Sequence, residues 1–173
     1  VFIPYIKRED DITKSSSIGH ANRHSGYEYG IKSWKNWCDK NDCELYIMSD
    51  LLLPESEMLI TWQRWQVLNI LEHNEVDYDQ VLVVDADSIV HPDCPNFFEM
   101  TDNKFTSVLT DGDYEWVNRA INGYSKLFFN KEFCIPSFEF FMTGFVIINK
   151  THKKFFDEVF KWYDKNKKEI IQS

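Results

Sequence analysis

Two aspartates separated by one residue, Asp85 and Asp87, stand at the end of the apolar run Val81-Leu82-Val83-Val84. Four consecutive aliphatic residues, three of them β-branched, suit a strand buried on both faces. In extended chain, residues two apart project to the same side, so both carboxylates are expected to face one ligand at the strand's carboxyl end. That is where open α/β sheets place their ligands. Leaving the pair unpartnered there is costly, because each charge is partly desolvated and the two repel. A divalent cation would remove both costs. Carboxylate oxygens with no soft ligand nearby favour Mg²⁺ or Mn²⁺.

Three other places carry residues suited to chemistry. Arg64 precedes Leu68 and Leu71 by four and seven positions, which puts a permanent cation on the inward face of a helix. It needs a partner, either a local Glu or Asp or a bound anion. Asp111-Gly112-Asp113 is good turn chemistry after a short strand. Thr143 and Gly144 are small enough to let a ligand approach the backbone. The four cysteines, Cys38, Cys43, Cys94 and Cys134, show no paired CxxC spacing, which argues against zinc. Free thiols are expected, with a Cys94 to Cys134 disulfide as the alternative.

The elements that must position these residues alternate between strand and helix. Val1 to Ile6 reads as a first strand ended or bulged by Pro4, and Lys7 to Asn22 as a polar, Ser-rich mobile loop. A capping box at Ser25 to Glu28 opens a helix over 26–40, with Tyr27, Gly30, Ile31, Trp34 and Trp37 at helical intervals. A second strand over Glu44 to Met48 ends at Ser49 and Asp50, and a helix follows over Leu59 to His73. After the strand that carries Asp85 come strands over Thr106 to Thr110 and Phe145 to Ile148. A closing helix over 151–168 presents Phe155, Phe156, Val159, Phe160 and Tyr163 as its apolar stripe. The expected fold is α/β: one domain over 1–173, with a mostly parallel central sheet flanked by helices.

Composition narrows the partners. A formal net charge of −9 and a pI near 5.0 disfavour a nucleic-acid backbone as ligand. No apolar run is long enough to span a membrane and no export signal is visible, so a cytoplasmic location is expected. The Golgi lumen is the alternative if an anchor precedes Val1, which is strand-like and not Met.

The order of strand, Asp85-Ala86-Asp87, a strand ending in Asp, and then Phe141-Met-Thr-Gly-Phe-Val-Ile-Ile-Asn149 resembles nucleotide-sugar-dependent glycosyltransferases of the GT-A type. The similarity is nearest the family holding glycogenin and the bacterial lipopolysaccharide galactosyltransferases. It extends loosely over nearly the whole chain, and its specificity lies in the D-A-D and T-G-F-V-I-I-N segments.

The resemblance implies that Asp85 and Asp87 hold a Mn²⁺ or Mg²⁺ bridging the phosphates of a nucleoside diphosphate sugar, and that Arg64 contacts this donor. It implies Asp111 or Asp113 as the acid that meets donor-sugar hydroxyls, with Thr143 and Gly144 beside the donor. Tyr5 and Asp50, at the ends of the first two strands, fall where the family binds base and ribose. The chain departs from the family at Met142, where Asn is common, so a sugar-binding amide is absent there. The family's further metal ligand, usually His, has no counterpart before Ser173, so a domain truncated at its C-terminus is expected. His20, His24, His73, His91 and His152 are not at the matching place.

The activity implied is transfer of a sugar, from a UDP-sugar first of all, to a glycan, lipid-linked or protein hydroxyl, with retention favoured over inversion. Two other classes compete. A Mg²⁺-dependent phosphatase of the haloacid dehalogenase type also uses a strand-D-x-D segment, although that motif normally opens its fold. A non-catalytic nucleotide-sugar or glycan-binding module would keep the pocket without turnover.

Overall fold

The computed structural model describes residues 1–6, 23–109, 113–132 and 135–172. In chain order it contains β1 (Phe2–Pro4), α1 (Arg23–Lys40), β2 (Tyr46–Met48), α2 (Ile60–Gln63), α3 (Val67–His73), β3 (Gln80–Val84), β4 (Thr106–Leu109), α4 (Tyr114–Phe128), β5 (Phe141–Asn149) and α5 (Lys153–Gln172). The strands form one sheet in the order β2-β1-β3-β5-β4. β1 pairs in parallel with β2 and with β3, whereas β5 runs antiparallel to both β3 and β4. The sheet is therefore mixed: every strand but β5 points the same way, and the reversed strand sits between two of the others.

β3 is the centre of the molecule, as its apolar run predicts. Val81, Leu82, Val83 and Val84 are all buried. Their alternation sends Leu82 and Val84 into one core with Trp34 and Trp37 of α1, and Val81 and Val83 into another with Leu68 and Leu71 of α3 and Phe156 of α5. β5 repeats this, with Ile147 facing α1 while Val146 and Ile148 face α3 and α5. At about 2 kcal/mol for each aliphatic side chain buried, this double-sided packing is the main force ordering the sheet.

Several elements differ from the sequence expectation. α1 begins at Arg23, ahead of the expected capping box. β1 and β2 are three residues each, and Pro4 does end its strand. The helix expected over Leu59 to His73 is broken by a 3₁₀ turn at Arg64–Gln66. Gln63, at the break, is completely buried and its amide is tied to the backbone of the preceding loop rather than facing solvent. α4 was not anticipated; Asp113 caps it and Val117, Ile121 and Ser125 form its buried stripe. β5 starts four residues early, at Phe141, and α5 runs to Gln172. On α5, Phe156 and Tyr163 are buried as expected, but Phe155 is exposed and Ile170 takes the next buried position.

Cys38, Cys43 and Cys94 are free thiols, and burial pushes those of Cys38 and Cys43 up from the usual range. Lys7 to Asn22 and Cys134 lie outside the described residues. No helix among the described residues is long and apolar enough to cross a membrane.

Candidate functional site

Strand direction gathers the candidate residues at one edge. Because β1 to β4 share a direction and β5 opposes it, the carboxyl ends of the first four strands and the amino end of β5 lie together. Tyr5, Asp50, Asp85 and Asp113 follow the former, and Thr143 and Gly144 belong to the latter.

β3 ends at Val84, so Asp85-Ala86-Asp87-Ser88 is a turn and not the extended segment expected. The Ser88 amide donates to the Asp85 carbonyl at 3.1 Å, and the Ser88 hydroxyl donates to the same oxygen at 2.6 Å. The Asp85 amide, in turn, donates to the Gly144 carbonyl at 3.0 Å. The register of β3 and β5, with Val84 opposite Phe145, thus continues one step past the strand end. The two carboxylates are placed by this turn and not by strand alternation.

Arg64 is the other half of the centre. Its Nη1 donates to Oδ1 of Asp85, and its Nη2 donates to Oγ1 of Thr143 at 3.2 Å. The guanidinium side chain is 12% exposed against 44% for Asp85, so the ion pair has a covered cation and an accessible anion. The Arg64 guanidinium carbon lies 5.3 Å from the Trp65 ring centroid, and its Nε is buried without a hydrogen-bond partner among the described residues. The 3₁₀ break that begins at Arg64 therefore stands where a guanidinium bridges two strand ends; mid-helix 3₁₀ turns commonly mark functional or strained positions. Gly144 closes the group, since a Cβ there would come within 2.6 Å of Oδ2 of Asp85.

α1 buttresses the turn from the opposite side. A Cβ on Gly30 would meet the carbonyl oxygens of Ala86 and Ser88 at 2.5 and 2.7 Å, both backbone atoms of the aspartate turn. Neither atom can swing aside as a side chain would. Gly30→Ala is therefore expected to destabilise the protein by about 2 kcal/mol, the usual size for overpacking a fitted contact, despite alanine's better helix propensity. Urea unfolding of the two proteins checks this; an unchanged or higher midpoint would show that helix and turn separate freely.

No protein-family model matches the chain, and no curated protein sequence matches it significantly. Among solved structures, it is similar to a glycosyltransferase involved in the glycosylation of the major capsid of PBCV-1. The fold is that of a solved glycosyltransferase. The match has a TM-score of 0.52 at 13% sequence identity and covers 94% of this chain but 66% of the other. The likeness is one of architecture, and the chain spans about two thirds of the neighbour's length.

On this glycosyltransferase-like fold the expected site residues fall into two sets. Arg64, Asp85, Thr143 and Gly144 meet, and Asp87 sits exposed on the same turn. The rest stand apart. Asp113 is exposed and its Oδ1 accepts from the Glu115 amide at 2.7 Å to cap α4. Asp50 is exposed and accepts from the Ser49 hydroxyl at 2.7 Å. Tyr5 packs edge-on to Tyr27 with ring centroids 5.8 Å apart. Asp111 lies outside the described residues.

Among the described residues no group of three or more His, Cys, Asp or Glu could hold a metal alone. The donor set at Asp85 and Asp87 nonetheless suits a hard cation that completes its shell with phosphate oxygens and water, as Mg²⁺ commonly does. Arg64 neutralises one of the two carboxylates, which leaves one negative charge at the turn to attract such an ion. The sequence reading placed Gly30 and Trp34 on the helix stripe but not against the aspartate turn, and it missed Ser33, Ser88 and Gln63 as site-supporting residues. Ser88, directly after the motif, carried a visible signal.

Proposed function

We propose that this chain moves a sugar from a nucleoside diphosphate sugar, a UDP-sugar first of all, to the hydroxyl of a glycan, lipid-linked or protein acceptor. Asp87 and Asp85 hold a Mn²⁺ or Mg²⁺ ion, and retention of anomeric configuration is the outcome proposed. The observation that carries this reading is the Arg64 guanidinium locked between Asp85 and Thr143, next to an exposed Asp87, at the ligand-binding edge of a glycosyltransferase-like fold.

Each residue has a physical task. Asp87 offers an exposed carboxylate to the cation. Asp85 keeps one oxygen on Arg64, which holds the carboxylate in a single orientation. The guanidinium, held by Asp85 and Thr143, offers a fixed positive charge to a phosphate or sugar oxygen. When bound, the cation supplies charge stabilisation to the departing diphosphate. Gly144 leaves room for the Asp85 carboxylate to lie against its backbone, and Asp113, with Oδ1 capping α4, meets a donor hydroxyl through its other oxygen. Base and ribose fall towards Tyr5 and Asp50.

The test is turnover. The protein is incubated with a panel of UDP-sugars and mono- or disaccharide acceptors, with Mn²⁺ or with EDTA, and UDP, inorganic phosphate and transferred sugar are followed separately. UDP release and sugar transfer that require the metal and are lost in Asp87→Ala are expected. Phosphate release without sugar transfer, or turnover that persists in Asp87→Ala, overturns the proposal. Thermal stabilisation by UDP and Mn²⁺ with no turnover on any donor identifies a binding module instead.

A further inference from the structure

Among the described residues the ladder of β3 and β5 reaches the aspartate turn only at the Asp85 amide, so the conformation of the rest of the turn needs another source. One face of α1 provides it. Gly30, Ser33 and Trp34 follow the three- and four-residue spacing that places side chains together on a helix, and each meets the Asp85–Val90 segment. Gly30 lets the Ala86 and Ser88 carbonyls come close. The Ser33 hydroxyl accepts from the Val90 amide at 3.1 Å and donates to the Gly30 carbonyl at 2.7 Å. The Trp34 indole donates from Nε1 to Oγ of Ser88 at 3.0 Å, and that hydroxyl donates to the Asp85 carbonyl at 2.6 Å.

The last pair forms a directional chain. A hydroxyl has one proton, and here the indole N–H occupies an acceptor lone pair of Ser88, so the proton is directed at Asp85. The same carbonyl takes the Ser88 amide, which closes the turn. Without the indole N–H, the hydroxyl is free to rotate, and the turn that spaces Asp85 from Asp87 loosens.

We propose that Trp34 and Ser88 are positioning residues for the cation and the diphosphate of the donor: the indole orients the Ser88 hydroxyl, and the hydroxyl fixes the turn that sets the Asp85 and Asp87 carboxylates. This rests on the donor-site reading above. It assigns a ligand-affinity role to an indole N–H whose ring belongs to the hydrophobic core, where Trp34 packs with Trp37, Phe97 and Phe145 at centroid distances of 5.8, 6.2 and 6.4 Å.

Packing and positioning separate experimentally because Trp34→Phe keeps an aromatic ring in the core while removing the indole N–H, with the lost ring volume read separately by the unfolding midpoint, and Ser88→Thr keeps the hydroxyl that Ser88→Ala removes. Mn²⁺ binding in the presence of UDP is measured by electron paramagnetic resonance of free Mn²⁺, alongside the unfolding midpoint of each unliganded protein. Trp34→Phe and Ser88→Ala are expected to weaken Mn²⁺ binding about fivefold, the scale of one ordinary hydrogen bond, and to do so to the same extent singly and combined. Ser88→Thr is expected to bind as the parent does.

Parent-like affinity in both Trp34→Phe and Ser88→Ala overturns the positioning role while leaving the donor-site reading intact. So does additive weakening in the double variant, or an affinity loss that Ser88→Thr shares. A parent protein that binds neither Mn²⁺ nor UDP overturns the donor site itself, and this proposal with it.

Discussion

Arg64→Lys is expected to lower kcat/KM for a UDP-sugar by about 100-fold, the scale of a lost charge-assisted hydrogen bond, although the positive charge is kept. The argument is geometric. The guanidinium uses two different nitrogens on two different strand ends, Nη1 on Asp85 after β3 and Nη2 on Thr143 in β5. A lysine ammonium is a compact point charge on a flexible stem and reaches one of these oxygens at a time. It also lacks the planar face that Arg64 sets near the Trp65 ring. Asp85 would keep a counter-ion but lose its fixed orientation, so thermal stability should change much less than turnover. Steady-state kinetics beside a thermal melt tests this, and a lysine variant with parent-like kinetics would reduce Arg64 to a charge balance for Asp85.

The largest effect on stability is expected at Gln63. Its Oε1 accepts from the Leu52 and Leu53 amides at 2.8 and 3.1 Å, and its Nε2 donates to the Leu53 and Met58 carbonyls at 2.8 and 2.6 Å. One completely buried amide thus satisfies four backbone groups of the loop between β2 and α2. Gln63→Leu preserves volume and strands all four. With some of them regaining water, since Leu52 and Leu53 are partly exposed, the loss should be about 3 kcal/mol. For a chain of this size that corresponds to a Tm about 10 °C lower. Gln63→Glu, which keeps the acceptors but not the donors, should fall by less than leucine only if the amide's Oε1 contacts dominate. A leucine variant that melts with the parent would mean that this loop contributes nothing to folding.

How far the sequence foretold this molecule depended on what each element must do. β3 was readable because a strand buried on both faces leaves an unbroken aliphatic run that no other short element produces. Arg64, Asp85, Thr143 and Gly144 were readable as residue types, since a buried cation, an acid at a strand end and a glycine each signal a need. Their mutual contact was not, because it depends on β5 running against β3, and strand direction leaves no mark on an apolar pattern. Nor did the two aspartates announce a turn, which is held by Ser88 and by a helix more than fifty residues away. α4 escaped for a different reason. Asp111-Gly112-Asp113 suits a turn as well as a helix cap, and the turn reading hides the helix behind it, although Val117, Ile121 and Ser125 recur on its inner face at four-residue spacing.

The reversed strand also bears on how the polypeptide is made. β3 is complete at Val84, but its antiparallel partner β5 does not begin until Phe141. During synthesis, this aliphatic strand emerges from the ribosome more than fifty residues before the segment that will cover its open edge. Until then Val81 to Val84 present unpaired amides and carbonyls along an uncharged, β-branched run, the signature of a cross-β template. The chain is therefore expected to be most open to self-association before β5 docks.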